Sequence, residues 1–338
     1  MPIRVFRANP IAHGVFGEGK VHRELTEAGI TVVPDVEDAD IVLSDNPKWL
    51  DRYKTLPRRF AVYTYEPRFC TEHRPIVWRE GFSSPIHVMD VYTRDVFIDQ
   101  FLYMGTGAAE PEIALDTLMA RFSAKPKNTA AMLAGYRAAT EILIAGLPRT
   151  KGPVDIDLCA LRQDIARAMK AGAGIDIFGR KWPDGLASGE HRAGPWHAVK
   201  LDLLANYQIN VCLENTRYPF YVSEKLWDAT QAGCLPVYHG ADNHIYEVFP
   251  RDSFFEVAGQ TPEQVAAALA AMPDDERADR YERCAQTLVR VNRDRPGPVS
   301  RAALRVRVAR FIERVMETPL FGGAEPASGP AAASAGAA

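Results

Sequence analysis

The chain has 338 residues, a hydrophobic content of 47% and a formal net charge of −3. This length suffices for two domains of ordinary size with well-buried cores. The small acidic excess argues against nucleic acid or an anionic membrane as the main partner, because both demand a basic excess.

The N-terminal third of the chain alternates short apolar runs with helical or polar stretches. This pattern predicts a helix at 17–28 and strands at 3–6, 30–33, 41–43, 59–65 and 86–92. Such alternation favours a parallel sheet with helices on its faces. We therefore expect an α/β domain over residues 1–125.

A proline flanked by lysines, in residues 124–128, precedes a second series of apolar patterns and is interpreted as a linker. After it the sequence predicts strands at 130–136 and 175–178 and helices at 158–170, 261–272 and 303–315. Thr261 as N-cap, Pro262 at the first helical position and Glu263 in the first turn are start signals. A second α/β domain is expected over residues 126–318.

The C-terminal residues 319–338 are expected to form a disordered tail. From residue 322 onward they are Gly, Ala, Ser and Pro apart from Glu325. Such a composition buries too little apolar surface to offset the entropy of ordering.

Residues 207–257 are the most informative segment. An apolar run, 209–213, ends at Glu214-Asn215, and Ser223-Glu224-Lys225 opens an amphipathic helix. A second apolar run, 234–238, follows that helix directly. In open α/β sheets ligands bind at the carboxyl ends of the strands. A helix N-terminus with a cation in its first turn suits a phosphate-bearing ligand.

The cysteines, the histidines and the N-terminus bear on location and on metals. The cysteines are dispersed and never in a CxxC spacing: Cys70, Cys159, Cys212, Cys234 and Cys284. They are expected to be reduced thiols, and no histidine spacing predicts a metal site. No window reaches the ~18 apolar residues of a membrane span, and residues 1–14 lack a signal-peptide core. We therefore expect a cytoplasmic protein without a transmembrane segment.

The segment 207–257 resembles the donor-binding motif of glycosyltransferase family 10, the α-1,3/α-1,4-fucosyltransferases. Family members carry Phe-Glu-Asn, then Thr-Glu-Lys, then a Gly-X-Pro-Val segment, Tyr-Glu and a Ser-Phe run. Leu213 for Phe and Ser223 for Thr are mild departures. The matching residues here are Leu213-Glu214-Asn215, Tyr221-Val222-Ser223-Glu224-Lys225, Gly233-Cys234-Leu235-Pro236-Val237, Gly240, Tyr246-Glu247 and Ser253-Phe254.

The resemblance implies an α/β fold of GT-B type, two Rossmann-like domains facing a cleft. Residues 1–125 would be the acceptor-side domain, and residues 126–318 would bind the donor. The implied activity is that of an inverting fucosyltransferase, which moves fucose from GDP-fucose to a glycan hydroxyl in α-1,3 or α-1,4 linkage. No cofactor and no metal is obligatory in this scheme.

The chain looks more like the soluble bacterial members than the membrane-anchored animal ones. That likeness gives two expectations, a role in lipopolysaccharide biosynthesis or protein glycosylation, and an acceptor with an N-acetylglucosamine or galactose unit. Peripheral contact with a membrane stays open.

The chemistry of sugar transfer requires fixed cations and a base. Negative charge grows on the departing diphosphate, and the attacking hydroxyl must lose a proton. By the resemblance, Lys225 and Arg162 hold the phosphates and Glu66 is the catalytic base. Glu214 and Glu224 resemble residues that hydrogen-bond donor hydroxyls, and three further residues belong to the same pocket: Asn215, Tyr221 and Ser223.

Each of these roles has a structural alternative. Lys225 could pair with Glu224 or Asp228 on the helix surface, which contributes little to stability. Arg162 could face solvent, with Arg180 as a competitor for the phosphates. Glu214 could be a buried structural carboxylate satisfied by backbone N–H groups.

Glu66 could be an ordinary loop carboxylate, with Glu72 as the fallback base. Two other functions also remain. The chain could be a glycosyltransferase that uses a different nucleotide sugar, since Leu213 replaces the family's Phe. It could also be a non-catalytic protein that binds a sugar nucleotide or a glycan.

Overall fold

A computed structural model describes residues 2–11, 16–17, 23–64, 76–90, 113–137, 150–151, 154–155, 158–172, 174–183, 185–190, 196–217, 221–241, 243–294 and 301–316. The chain divides into two compact units. Unit 1 comprises Met1–Ile98 and Arg301–Ala338, and unit 2 comprises Asp99–Ser300.

Both units contain helices and strands. The helices are α1 (Arg23–Glu27), α2 (Leu115–Ser123), α3 (Leu158–Ala171), α4 (Trp196–Leu204), α5 (Glu224–Gln231), α6 (Pro262–Ala271), α7 (Asp274–Asp294) and α8 (Arg301–Met316). The strands are β1 (Ile3–Arg7), β2 (Ile30–Val33), β3 (Ile41–Ser44), β4 (Arg59–Thr64), β5 (Ile76–Val77), β6 (Ile86–Asp90), β7 (Ala130–Leu133), β8 (Thr150–Lys151), β9 (Val154–Asp155), β10 (Asp176–Phe178), β11 (Ile209–Val211), β12 (Leu235–Tyr238) and β13 (Phe255–Glu256).

Unit 1 is built on a sheet with the order β2-β1-β3-β4-β6-β5 among the described strands. All neighbours pair in parallel except β5, which runs antiparallel to β6. Every residue of β3 is buried, as expected of a parallel strand covered on both faces. Helix α8 packs against α1, β4 and β6 and closes the core of this unit.

Unit 2 is built on a parallel sheet with the order β10-β7-β11-β12-β13. The chain passes from β7 outward to β10 and then returns to β11 on the other side of β7. The strand order therefore reverses between β7 and β11, which is where open α/β sheets leave a crevice for ligands.

The segment 207–257 folds as the sequence predicts, with strand β11, helix α5 and strand β12 in succession. Gly233 ends α5 with a φ of +82°. A Cβ at this position would lie 2.8 Å from the Cβ of Arg121, so the close approach of α2 also requires glycine. Thr261 forms a capping box with Gln264 at the start of α6, with Pro262 at the first position.

The two sheets, parallel apart from β5 and accompanied by helices, confirm the predicted α/β class with two Rossmann-like domains. Three helices were not predicted: α2, α4 and α7. Helix α7 has 21 residues and packs against α2, α5 and β12, so its stability comes from tertiary contacts.

The division into units differs from the expected boundaries. Residues 124–128, interpreted as a linker, lie inside unit 2, where Lys125 is only 7% exposed. Helix α8, expected in the donor domain, belongs to unit 1 because its apolar face covers β4 and β6. The predicted tail lies outside the described residues.

The described part of the chain contains no helix with both the length and the apolar character that a membrane crossing requires. Four of the cysteines are described, and all are buried free thiols: Cys159, Cys212, Cys234 and Cys284.

Candidate functional site

The candidate site lies where β11 ends, at the reversal of strand order in unit 2. Glu214 and Asn215 follow this strand, and α5 begins nearby in sequence at Glu224. Helix α3 starts at the same place, because the backbone N–H of Leu158 donates to the carbonyl of Asn215 at 3.1 Å. Two helix N-terminal segments therefore lie close to the end of β11.

Glu214 is the centre of a buried hydrogen-bonded cluster and is 1% exposed. Its Oε1 accepts from the backbone N–H of Ser223 at 2.7 Å and from the hydroxyl of Tyr238 at 3.1 Å. Its Oε2 accepts from the Ser223 hydroxyl at 2.6 Å and from Lys225 Nζ at 2.9 Å. Four donors satisfy this buried carboxylate, and only one of them is a backbone N–H of the kind expected in the structural alternative.

Lys225 lies closer to Glu214 and Ser223 of this cluster than to Glu224 on its own helix. Its Nζ also lies 2.8 Å from the hydroxyl of Ser223, and its contact with Glu224 is longer, at 3.8 Å. The expected alternative partner, Asp228, pairs instead with Lys200 at 2.7 Å. The side chain of Lys225 stays 21% exposed, so a ligand can reach the ammonium group.

Arg162 lies on the buried face of α3 and is 5% exposed, so the solvent-facing alternative does not apply. Its Nη1 donates to the side-chain oxygen of Asn215 at 2.9 Å. The Nε is buried and has no hydrogen-bond partner among the described residues. The competitor, Arg180, has a side chain that is 67% exposed and pairs with Glu190.

Consecutive residues thus hold the two predicted cations. The carboxylate of Glu214 binds the ammonium of Lys225, and the amide of Asn215 binds the guanidinium of Arg162. Because neighbouring Cα atoms are about 3.8 Å apart, both cations are tied to one point of the chain. A site of this kind suits a ligand with two linked anionic groups.

Glu224 is a second carboxylate of the site, beside Glu214. Burial opposes its ionisation, but the ammonium groups of Lys225 and Lys200 outweigh burial and lower its pKa to about 2. Its side chain is 18% exposed. A carboxylate at this position can accept hydrogen bonds from the hydroxyls of a ligand.

Some of the remaining predicted site residues are buried, and others lie outside the described part of the chain. Tyr221 is 4% exposed and Ser223 is 7% exposed, so both support the site from within. Glu66 and Glu72 lie outside the described residues. Three members of the surrounding network were not predicted as site residues: Lys200, Asp228 and Tyr238. Lys200 could not be placed without α4, whose apolar residues show almost no helical periodicity.

Among the described residues, no three His, Cys, Asp or Glu side chains are grouped in a way that could hold a metal ion. The charges that the structure offers to a ligand at this site are the side chains of Lys225, Arg162 and Glu224.

A family model matches the part of the chain that carries the site. Residues 156–287 match glycosyltransferase family 10 (fucosyltransferase), C-terminal domain. The match includes α3, β11, α5 and β12, and therefore every described residue predicted for the site.

Similar proteins and structures carry the same kind of name. A cattle protein (Bos taurus), 3-galactosyl-N-acetylglucosaminide 4-alpha-L-fucosyltransferase, is 31% identical over 119 residues, which cover 34% of this chain and 30% of that protein. A human 4-galactosyl-N-acetylglucosaminide 3-alpha-L-fucosyltransferase (Homo sapiens) is 30% identical over 112 residues, covering 32% and 28%. The match thus spans about 30% of the length of these curated relatives.

Two crystal structures of an alpha1,3-fucosyltransferase are also similar in fold. The one with GDP-fucose gives a TM-score of 0.44 at 16% identity and covers 83% of this chain and 81% of that chain. The one with GDP gives a TM-score of 0.47 at 15% identity and covers 94% and 90%. Residues 156–287, which carry the site, are therefore similar to the C-terminal domain of the family 10 fucosyltransferases.

Proposed function

We propose that the protein is an inverting fucosyltransferase that moves fucose from GDP-fucose to a hydroxyl of a glycan acceptor. One observation carries the proposal: within a family 10 domain, the consecutive residues Glu214 and Asn215 hold an ammonium and a guanidinium at the end of β11. A pyrophosphate between a sugar and a nucleoside is the ligand that this pair of cations fits.

The two cations have different tasks in the proposed mechanism. Lys225 offers a point charge to a phosphate oxygen, and Arg162 offers a planar set of N–H donors. Both groups are held in place before the donor arrives, so they stabilise the charge that grows on the departing GDP without reorganisation. Glu214 contributes through Lys225, since its own oxygens already accept four hydrogen bonds.

The neighbouring polar groups orient the donor. Glu224 accepts hydrogen bonds from ribose or fucose hydroxyls, and Asn215 and Tyr221 shape the same pocket. Glu66 acts as the base that takes the proton of the acceptor hydroxyl as this hydroxyl attacks the anomeric carbon. The attack is a single displacement, so the configuration at that carbon inverts.

The acceptor is proposed to be a glycan with a galactose–N-acetylglucosamine unit. The support is the activity for which the cattle and human relatives are named, fucose transfer to galactosyl-N-acetylglucosaminides. Such an acceptor would fit the expected role in lipopolysaccharide biosynthesis or protein glycosylation in the cytoplasm. A glycan array with both the 3-galactosyl and the 4-galactosyl isomers separates α-1,3 from α-1,4 transfer.

Thermal stabilisation by nucleotides tests the donor assignment. GDP, UDP, CMP and their sugars are added one at a time to the wild type, and GDP and GDP-fucose should stabilise it selectively. Lys225→Ala should lose about 10²-fold in donor use, because a charged contact to the leaving group is gone.

The matched control is Lys127→Ala, which removes a lysine whose side chain is 69% exposed in the same unit. It should keep donor use unchanged. If another nucleotide sugar stabilised the protein selectively, that compound and not GDP-fucose would be assigned as the donor. Binding of GDP without turnover on any acceptor would favour the non-catalytic alternative.

A further inference from the structure

Behind the candidate site lies a buried ion pair that the proposed mechanism does not use. Nζ of Lys200 on α4 lies 2.7 Å from Oδ2 of Asp228 on α5, and the two side chains are 8% and 2% exposed. Removing two charges from water is costly, and apolar residues of similar volume often stabilise a core equally well. Stability alone therefore gives no account of why this pair is here.

The position of the pair relates it to the site. Asp228 follows Glu224 by one helical turn, so the two carboxylates project from the same face of α5. Lys200 reaches this face from a different helix, and its charge acts on Glu224 as well as on Asp228. One ammonium group thus pairs with Asp228 and acts electrostatically on Glu224.

The other charged groups near Glu224 come from two directions. On its own helix the neighbours are Lys225 and Asp228, and from the end of β11 Glu214 acts through its contact with Lys225 at 2.9 Å. Two cations act on Glu224, Lys225 and Lys200. Lys225 contacts Glu214, whereas among the described residues no hydrogen bond or ion pair joins Lys200 to Glu214. Lys200 is therefore positioned to act on α5 without touching the donor.

We propose that Lys200 is a positioning residue of the donor site, acting through Asp228 to fix the turn of α5 that presents Glu224 and Lys225 to the donor. The inference rests on the proposed function, because it assumes that α5 binds the donor. Its charge also favours the carboxylate form of Glu224, which the donor hydroxyls require.

The experiment separates the charge of the pair from its volume. The double variant Lys200→Met with Asp228→Leu removes both charges and keeps the core filled. Lys200→Arg keeps the positive charge. The matched control is Lys127→Met, which breaks an exposed ion pair with Asp274 in the same unit.

Two readouts are measured at several pH values: KM and kcat for GDP-fucose, and the titration of the Glu224 carboxyl by ¹³C NMR, assigned by its absence in Glu224→Gln. The double variant should fold and raise KM by about tenfold with a smaller effect on kcat, and Lys200→Met alone should shift the Glu224 titration upward. Lys200→Arg and Lys127→Met should keep KM within about threefold of the wild type. Their Glu224 titration should stay close to that of the wild type.

An unchanged KM in the double variant and an unmoved Glu224 titration in Lys200→Met would overturn the proposal and leave the pair a purely structural one. If the double variant does not fold, Asp228→Asn, which keeps an acceptor for Lys200, must raise KM, and an unchanged KM overturns the inference. The titration needs no donor, so it tests Lys200 even if the wild type fails to bind GDP-fucose and the proposed function fails.

Discussion

The surroundings of Glu214 suggest a different role from the one that its motif implies. The resemblance assigns it to the donor's hydroxyls, yet the structure buries it and fills its oxygens with four donors. Its negative charge fixes the ammonium of Lys225 at 2.9 Å. A carboxylate in this position acts on the ligand through the lysine that it holds.

Glu66 gives the sharpest test of the chemistry at the residue scale. Glu66→Gln keeps the size of the side chain and removes its ability to take a proton. Turnover should fall by about 10²–10⁴-fold, the usual contribution of a general base, while GDP binding survives. Steady-state transfer rates and calorimetric titration with GDP measure the two effects, and near-normal turnover would exclude this role.

The buried side chain of His87 should make the stability of unit 1 sensitive to acid. Burial lowers its pKa to about 4, with further effects of Arg314 and Arg59. The unfolded chain binds this proton at a higher pH than the folded one, so stability is lost as pH falls from about 6.5 towards 4. The loss from this residue should be about 3 kcal/mol at pH 4.

Urea unfolding at pH 7 and pH 4.5 measures the effect of His87. His87→Gln has no titrating ring, so its stability should fall less between the two pH values than that of the wild type. Equal losses in both proteins would show that carboxylates alone cause the acid sensitivity.

At the scale of elements, helices α4 and α5 are joined at their C-terminal ends by a lysine from outside both. Nζ of Lys125 donates to the carbonyls of Leu204 at 3.0 Å and of Ala232 at 2.5 Å. It also lies 3.3 Å from the sulfur of Cys234. Carbonyls at helix ends have no partner within the helix, so this lysine satisfies groups that would otherwise be buried unpaired.

Lys125→Met should therefore destabilise unit 2 by about 2 kcal/mol, because two buried carbonyls lose their donor. Lys127→Met, two residues away and exposed, should change stability by less than about 1 kcal/mol. Chemical unfolding followed by tryptophan fluorescence compares the two variants. Equal stability of both would mean that water replaces the lysine.

Local patterns predicted some helices and missed others, and the strength of the apolar periodicity does not separate the two groups. Helix α6 was predicted from Thr261, Pro262 and Glu263, and Thr261 forms its capping box with Gln264. Helix α2 was missed. Its Phe122 stacks on Tyr281 of α7, with ring centroids 4.6 Å apart. That contact joins residues far apart in sequence, so no local pattern reveals it.

For the whole molecule, α8 determines how the chain is divided. Phe311 packs on Phe16 with centroids 4.7 Å apart, and Val308 and Val315 are fully buried. The C-terminal end of the chain thus completes the core of the N-terminal unit. The predicted boundary differs because sequence order alone assigns α8 to the domain that precedes it.

Truncation before Arg301 should unfold unit 1 selectively. Loss of three large buried apolar side chains removes roughly 5–9 kcal/mol, comparable to the whole stability of a domain. Hydrogen exchange should then be fast in β1, β3 and β4 and stay slow in β11 and β12. Retained protection in unit 1 would contradict the contribution assigned to α8.

The sequence by itself determined the two α/β units and the β11–α5–β12 unit, because these depend on local periodicity and on a motif of adjacent residues. The tertiary structure decided what each polar group touches. Asn215 holds Arg162 across 53 residues of sequence, and Lys200 holds Asp228 across 28. Such pairings arise only when the sheet brings strand ends and helix starts together, since burial and partner distance are properties of the folded chain.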